Sequence, residues 1–285
     1  MFYFFFQAED GIRDLYGLVG SAPQVKDNTG NIVSVLIFNG YLEMEQAVSP
    51  VETNDNIEVD WEYSKDSANG DGEDGMALWD PHFAGFPGEE DSFTGVPRDG
   101  RRKGQGGVSV GHLSYAMAFP CGERAEQWRS DFNSRRVLAG NRGPQYRFKE
   151  GDEWILEDNK LGKQSNTMRF FGREDVWEGH LGYGDGHVEF GNTPTPEGLR
   201  FARLNSAGGN NTKSSFLDNV FVNEMETGSD DKFGTYAGDR TLDYNPDQGT
   251  NSFIRIWGNI TAPLGAQGDM ALPQVGDGSQ GNFID

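Results

Sequence analysis

Apolar side chains recur in short runs along this chain, and the spacing within each run predicts a local element. Residues 27–40 carry four of them at helical spacing, with Asp27 or Thr29 available as the N-cap and Asn39-Gly40 as the stop. These apolar positions are Ile32, Val33, Leu36 and Ile37. The spacing predicts a short helix, although the β-branched residues make a strand a competing interpretation.

Residues 57–63 alternate strictly between apolar and acidic side chains. The apolar set is Ile57, Val59, Trp61 and Tyr63, and the acidic set is Glu58, Asp60 and Glu62. Such alternation predicts a strand with one face buried and the other in water. Further strands are predicted at 113–119 and 252–257, and a strand followed by a turn at 137–144. A short helix is predicted at 123–129 and a long loop at 64–107.

The dipeptide Asp185-Gly186 predicts a β-hairpin with a two-residue turn, because both central positions of a type I′ turn need a positive φ. The register centred on this turn pairs four apolar side chains on one buried face: Leu181, Tyr183, Val188 and Phe190. His187 and Glu189 would point to the opposite face. The hairpin is therefore expected to anchor an antiparallel sheet.

The fold expected from these elements is α+β. With 40 glycines and 12 prolines, the chain should have many turns and short elements. We expect one globular domain over residues 15–257, dominated by short antiparallel strands with long loops and a few short helices. The Gly- and Pro-rich residues 258–285 are expected to form a flexible tail.

Charge and cysteine content narrow the possible partners. A formal net charge of −21 disfavours binding to nucleic acid, whose phosphates would be repelled, and direct docking on anionic lipid. Cys121 is the one cysteine in the sequence, so an internal disulfide and a cysteine-based metal site are both excluded.

The first fourteen residues differ in kind from the remainder. Residues 7–14 resemble the translation of a sequencing-adapter oligonucleotide, and the Phe/Tyr run before them resembles a translated T-rich stretch. We therefore interpret residues 1–14 as an artefact and exclude them from the fold. Met1 then need not be the natural start.

The three carboxylates of the alternating segment also match the E-x-D-x-E pattern of retaining jelly-roll glucanases. In that pattern Glu58 would be the nucleophile and Glu62 the acid/base, with Asp60 between them. On a strand the two outer Cα atoms lie ~13 Å apart, whereas a retaining pair needs carboxyl oxygens roughly 5–5.5 Å apart. A solvated strand face is the simpler interpretation of the same residues.

Calcium is the one cofactor that the sequence suggests. Asp243, Asn245 and Asp247 alternate as oxygen ligands do in Ca²⁺ loops, but the glycine comes one residue late and no glutamate completes an EF-hand. An Asx-rich turn explains the same pattern. The four histidines follow no zinc motif, since the expected hairpin register holds His180 and His187 roughly 13 Å apart.

Several blocks, in order along the chain, resemble prepilin-like proteins of planctomycete-type bacteria, a class related to type II secretion pseudopilins and type IV pilins. The blocks are residues 31–42, 48–52, 77–83, 114–115, 138–144 and 185–190. The resemblance implies a non-enzymatic, extracytoplasmic subunit in the periplasm or at the cell surface. It also implies that pilin-like subunits are the partners.

In that family a hydrophobic N-terminal helix, with a Gly-Phe-Thr-Leu-Ile-Glu-type processing site, anchors the subunit and packs in the filament core. This sequence lacks that segment, so membrane contact is expected only through the missing helix. The alternative function is a secreted β-sandwich glycoside hydrolase or carbohydrate-binding module that uses Glu58, Asp60 and Glu62.

Overall fold

Short antiparallel strands form most of the regular structure in the computed structural model. The residues described are 28–66, 79–90, 96–118, 134–149, 153–205, 212–222 and 252–257. The helices are α1 (Thr29–Phe38) and α2 (Met44–Ala47), and 3₁₀ turns occur at Gln105–Gly107 and Asn166–Arg169. The strands are β1 (Tyr115–Ala118), β2 (Val137–Asn141), β3 (Tyr146–Lys149), β4 (Glu153–Leu156), β5 (Gly179–Tyr183), β6 (Val188–Gly191), β7 (Arg200–Asn205), β8 (Thr212–Leu217) and β9 (Ile254–Arg255). The expected α+β class is confirmed.

The main sheet has five strands in the order β6-β5-β2-β1-β9, and every neighbouring pair is antiparallel. A register shift between Val137 and Ala139 marks a β-bulge in β2. Two separate hairpins, β3-β4 and β7-β8, complete the strands. The strands predicted within 113–119, 137–144 and 252–257 are thus confirmed as β1, β2 and β9. The helix predicted at 123–129 lies outside the described residues.

Helix α1 confirms the helical interpretation of its segment, with a different N-cap. Asn28 is the cap, and its side-chain oxygen accepts a hydrogen bond from the backbone N–H of Asn31 at 3.0 Å. Thr29, one of the two predicted caps, instead accepts a hydrogen bond from the backbone N–H of Trp257 at 2.8 Å. The helix ends as predicted at Asn39, followed by Gly40 with φ 75°.

The main sheet is covered on both faces. On one face, apolar side chains of α1 pack in a core that includes Tyr115 and Met117 of β1. On the other face, the alternate residues Ala116 and Ala118 join a second core with Leu181 and other side chains. Nine of the ten residues of α1 are buried, so the helix is enclosed rather than lying at the surface. No helix among the described residues is both long enough and apolar enough to cross a bilayer.

The strand predicted at residues 57–63 does not form, and that prediction was wrong. Ile57 makes an isolated parallel bridge to Gly111, and the segment then turns. Trp61, predicted on the buried face, is 63% exposed, while Asp60 is 1% exposed. The cause is Asp60, whose carboxylate accepts a hydrogen bond from the Glu62 backbone at 3.1 Å in an Asx-type turn. A buried carboxylate needs such partners, and meeting that need overrides the alternation.

The hairpin forms, but its predicted register is wrong by one residue. The backbone N–H of Gly186 donates to the Tyr183 carbonyl at 2.9 Å, and Gly186 has φ 90°, so the loop contains three residues. Leu181 therefore lies opposite Glu189 instead of Phe190. The extra loop residue exchanges the two faces of β6, so that side chains predicted to face the core point outward, because successive side chains of a strand point to opposite faces.

The burial of the hairpin follows from this register. Leu181 and Tyr183 are buried as predicted, whereas Val188 and Phe190 are 42% and 50% exposed. Phe190 packs against His180 and Phe171 on the outer face, with ring centroids 5.0 and 4.9 Å away. The prediction of four buried apolar side chains thus holds for β5 and is wrong for β6.

Candidate functional site

The acidic segment 58–62 meets the basic pair Arg101-Arg102 on the protein surface. Arg102 Nη1 lies 3.0 Å from Glu58 Oε1, and its Nε lies 3.6 Å from Glu62 Oε1. Arg101 Nη2 lies 3.1 Å from Asp60 Oδ2. All three carboxylates singled out from the sequence therefore face a guanidinium group.

Arg101 is surrounded by buried carboxylates from separate segments. Its Nε lies 2.8 Å from Asp99 Oδ1 and its Nη1 lies 3.9 Å from Asp80 Oδ2. The side chains of Asp60, Asp80 and Asp99 are fully buried, and that of Arg101 is 25% exposed. Asp80 is further stabilised by the backbone N–H groups of Ser64 and His82, at 2.8 and 2.9 Å. The guanidinium of Arg101 and the backbone hydrogen bonds offset part of the cost of burying these three carboxylates.

His112 is the buried member of the cluster that contacts both Asp99 and the 58–62 segment. Its side chain is fully buried, with Nδ1 2.9 Å from the Glu58 carbonyl oxygen and Nε2 3.0 Å from Asp99 Oδ2. His112 thus joins the Glu58 backbone to the Asp99 carboxylate. Burial alone would raise the pKa of Asp99, but hydrogen bonds from His112 and Arg101 outweigh it and lower that pKa to about 2.

This cluster joins several loops through ion pairs, and its geometry differs from the one that the glucanase pattern predicts. A retaining pair needs one free carboxylate as nucleophile and one protonated acid, set at a defined separation. Glu58 and Glu62, at 46% and 52% side-chain exposure, are both held near arginines. The strand that was expected to present them is also not formed. The strand geometry that the glucanase hypothesis assumed is therefore absent, while the hypothesis itself stays a prediction.

The other candidate ligands are scattered. Asp243, Asn245 and Asp247 lie outside the described residues, so the calcium prediction stays a prediction. His82 lies 3.2 Å from Asp80, and His187 stacks on Tyr183 with ring centroids 4.1 Å apart. Within the described ranges, no group of three or more His, Cys, Asp or Glu side chains is placed to hold a metal ion.

A second buried ion pair lies at the N-terminus of α1. Arg98 Nη1 is 3.0 Å from Glu89 Oε1, and both side chains are at most 4% exposed. Glu89 also accepts hydrogen bonds from the Asn28 side chain at 2.5 Å and from the Gly85 backbone at 2.6 Å. Arg98 in turn donates to the side-chain oxygen of Asn31. The pair therefore joins the first turn of α1 to the loop at residues 83–90.

The sequence did not predict that Asp80, Asp99 and His112 would meet the 58–62 segment and Arg101. They come from segments up to 54 positions from Glu58, and no local motif brings them together. The one available signal was the pair Arg101-Arg102, a basic dipeptide in a strongly acidic chain. Comparison with protein-family models, with curated proteins and with solved structures gives no match to this chain.

Proposed function

We propose that this chain is the globular part of an exported, non-enzymatic subunit of the pilin or pseudopilin type. The observation that carries the proposal is the packing of α1, a helix close to the start of the globular part that is buried along nearly its whole length against an antiparallel sheet. A rigid helix-on-sheet unit of this kind suits a subunit that must be carried by an N-terminal anchor.

The sequence blocks behind the resemblance also pack together, which supports the proposal. Side chains from four of the blocks share the core beneath α1, among them Leu36, Trp79, Tyr115 and Ala139. The backbone N–H of Ser114 donates to the Ala47 carbonyl at 3.0 Å, next to the second block. Blocks separated by up to about a hundred positions thus form one structural unit.

Two further features fit a non-enzymatic exported protein. The most conspicuous carboxylates, Glu58, Asp60 and Glu62, each face an arginine, as expected for structural ion pairs. The net charge of −21 keeps a secreted surface soluble and repels anionic membranes, so a separate apolar segment would be needed for attachment.

The experiment is recovery of the natural gene upstream of the codon for Leu15. We expect a short basic leader followed by an apolar helix of about 20 residues. The complete product should then fractionate with the inner membrane, and a protease added from outside the cytoplasm should digest its globular part. A stop codon directly upstream, with no apolar helix before the globular part, would contradict the proposal.

A further inference from the structure

A groove of about 770 Å³ lies between the hairpins β3-β4 and β7-β8. This volume is typical of small-molecule sites, which range over ~300–1,000 Å³. The wall includes Tyr146, Arg147, Trp154, Lys163, Thr195 and Arg200. None of these residues belongs to the acidic cluster at Glu58–Asp60–Glu62, so the groove is a separate feature.

Tyr146 gives the groove a polar group on its wall. The residue is 5% exposed, and its ring lies parallel to that of Phe221 with centroids 6.3 Å apart. Burial raises the pKa of the Tyr146 phenol, and within the described part of the chain its hydroxyl has no hydrogen-bond partner. The hydroxyl is not among the enclosed side-chain polar atoms that lack a partner, and the residue lines the groove, so the hydroxyl is open to a ligand at this wall.

Trp154 gives the groove an apolar wall of fixed orientation. Its indole N–H donates to the Leu217 carbonyl at 3.2 Å, which links β4 to the end of β8. An indole held in this way presents a flat apolar surface beside polar groups. Thr193 and Thr195 add hydroxyls that lie 2.9 Å from each other. A flat ring beside hydroxyl groups matches the two sides of a sugar, which are an apolar C–H face and a polar rim.

The charge of the lining is positive although the chain is strongly acidic. Arg147, Lys163 and Arg200 line the groove with one carboxylate, Asp175, and that carboxylate already pairs with Arg173 at 3.2 Å. Arg147 and Lys163 have carboxylate neighbours at 3.6 and 3.3 Å, Glu157 and Asp158. Both cations are about half exposed, and exposed pairs of this kind are weak. A ligand carboxylate can therefore replace these neighbours.

We propose that the groove binds an acidic oligosaccharide. One sugar ring lies against Trp154, and hydroxyls of the ligand bond to Tyr146 and Thr195. Two carboxylates of the oligosaccharide bind Arg147 and Lys163. The proposal does not depend on the pilin-like function. An enzyme, a binding module or a filament subunit could each carry such a site.

The test is a calorimetric titration of the full chain with a tetrasaccharide of galacturonic acid. We expect saturable binding that weakens as salt rises, because the contacts are partly ionic. Tyr146→Phe should weaken binding about tenfold, as expected for one lost hydrogen bond. Its melting temperature should stay at or above that of the wild type, since the hydroxyl has no partner to lose. Wild-type affinity in this variant would overturn the assignment of the site.

Matched controls separate a sugar site from a simple anion site. The fully methyl-esterified tetrasaccharide has the same rings without the charges and should bind at least tenfold more weakly. The double variant Arg147→Gln, Lys163→Gln should lose binding, while Lys160→Gln, Arg169→Gln, with the same change in charge outside the groove, should retain it. Equal binding of ester and acid, equal loss in both double variants, or full competition by sodium sulfate at the same charge concentration would each overturn the proposal.

Discussion

Replacement of Asp99 by asparagine tests the charge assignment of the buried cluster. The substitution keeps the size of the side chain but removes a charge that lies 2.8 Å from Arg101 Nε and 3.0 Å from His112 Nε2. The carboxylate also accepts a hydrogen bond from the Arg101 backbone at 3.1 Å. If these contacts outweigh the cost of burial, Asp99 must stay ionised at acidic pH.

The expected size follows from the pKa of Asp99. A carboxyl group whose pKa is lower in the folded state stabilises the fold above its unfolded pKa, and it loses that contribution as pH falls towards the folded pKa. A decrease from 3.8 to about 2 corresponds to at most about 2.5 kcal/mol. Arg101 is partly in contact with solvent, so we expect on the order of 1–2 kcal/mol.

The assay is urea denaturation of the wild type and of Asp99→Asn, followed by tryptophan fluorescence from pH 7 down to pH 2.5. The free energy of unfolding should be higher for the wild type than for Asp99→Asn, and the difference should be constant above pH 5. This difference should decrease by on the order of 1–2 kcal/mol as the pH falls to 2.5. Comparison of the two proteins cancels most contributions of other carboxylates. The sequence pI is about 4.5, so micromolar protein is needed to limit aggregation.

Asp158→Asn is the matched control, because Asp158 is 80% exposed and pairs only with Lys163 among the described ion pairs. It should change the free energy of unfolding at pH 7 by less than about 0.5 kcal/mol. If the difference between wild type and Asp99→Asn does not depend on pH, Asp99 is not held ionised by Arg101 and His112. The cluster would then need a different protonation scheme.

Three further predictions concern other parts of the chain. Arg98→Met should destabilise the fold by about 3–5 kcal/mol in urea denaturation, because it leaves Glu89 buried without its cation, and Glu89→Met in the same protein should recover part of the loss. Gly186→Val should destabilise the fold by about 1–3 kcal/mol, because Gly186 has φ 90°, whereas a melting temperature equal to that of the wild type would argue against this loop. Millimolar calcium should raise the melting temperature if Asp243, Asn245 and Asp247 bind the ion; an equal rise in Asp247→Ala would leave only an Asx turn.

Local signals were sufficient for the elements whose stability is local. Helix α1 was predictable because its apolar spacing, its Asn-Gly stop and a polar residue at its start lie within fourteen positions. The cap was wrong by one residue, since Thr29 is engaged by Trp257, 228 positions away. The contact with Trp257 leaves Asn28 as the N-cap among the three adjacent polar residues 27–29. The local sequence pattern cannot show this contact.

The predicted register of the hairpin was wrong for a related reason. Asp185-Gly186 is compatible with a two-residue turn and with a three-residue loop that ends in a glycine of positive φ. The choice depends on Gly184, whose backbone N–H donates to the Arg136 carbonyl at 2.8 Å. That bond comes from the neighbouring part of the sheet. The strand predicted from the alternation in residues 57–63 failed for the same kind of reason. Asp60 is buried and pairs with Arg101, which lies 41 positions away in the sequence.

The relative positions of α1 and the groove connect the two proposals. Helix α1 packs on the face of the main sheet that carries Tyr115 and Met117, whereas Tyr146 and Trp154 belong to or pack against the core on the opposite face. If α1 lies on the side nearest an anchoring helix, the sheet separates the groove from the filament core. A groove placed in this way would remain open in an assembled filament. Binding of the galacturonate tetrasaccharide by assembled subunits, with the affinity of the free domain, would then be the expected result.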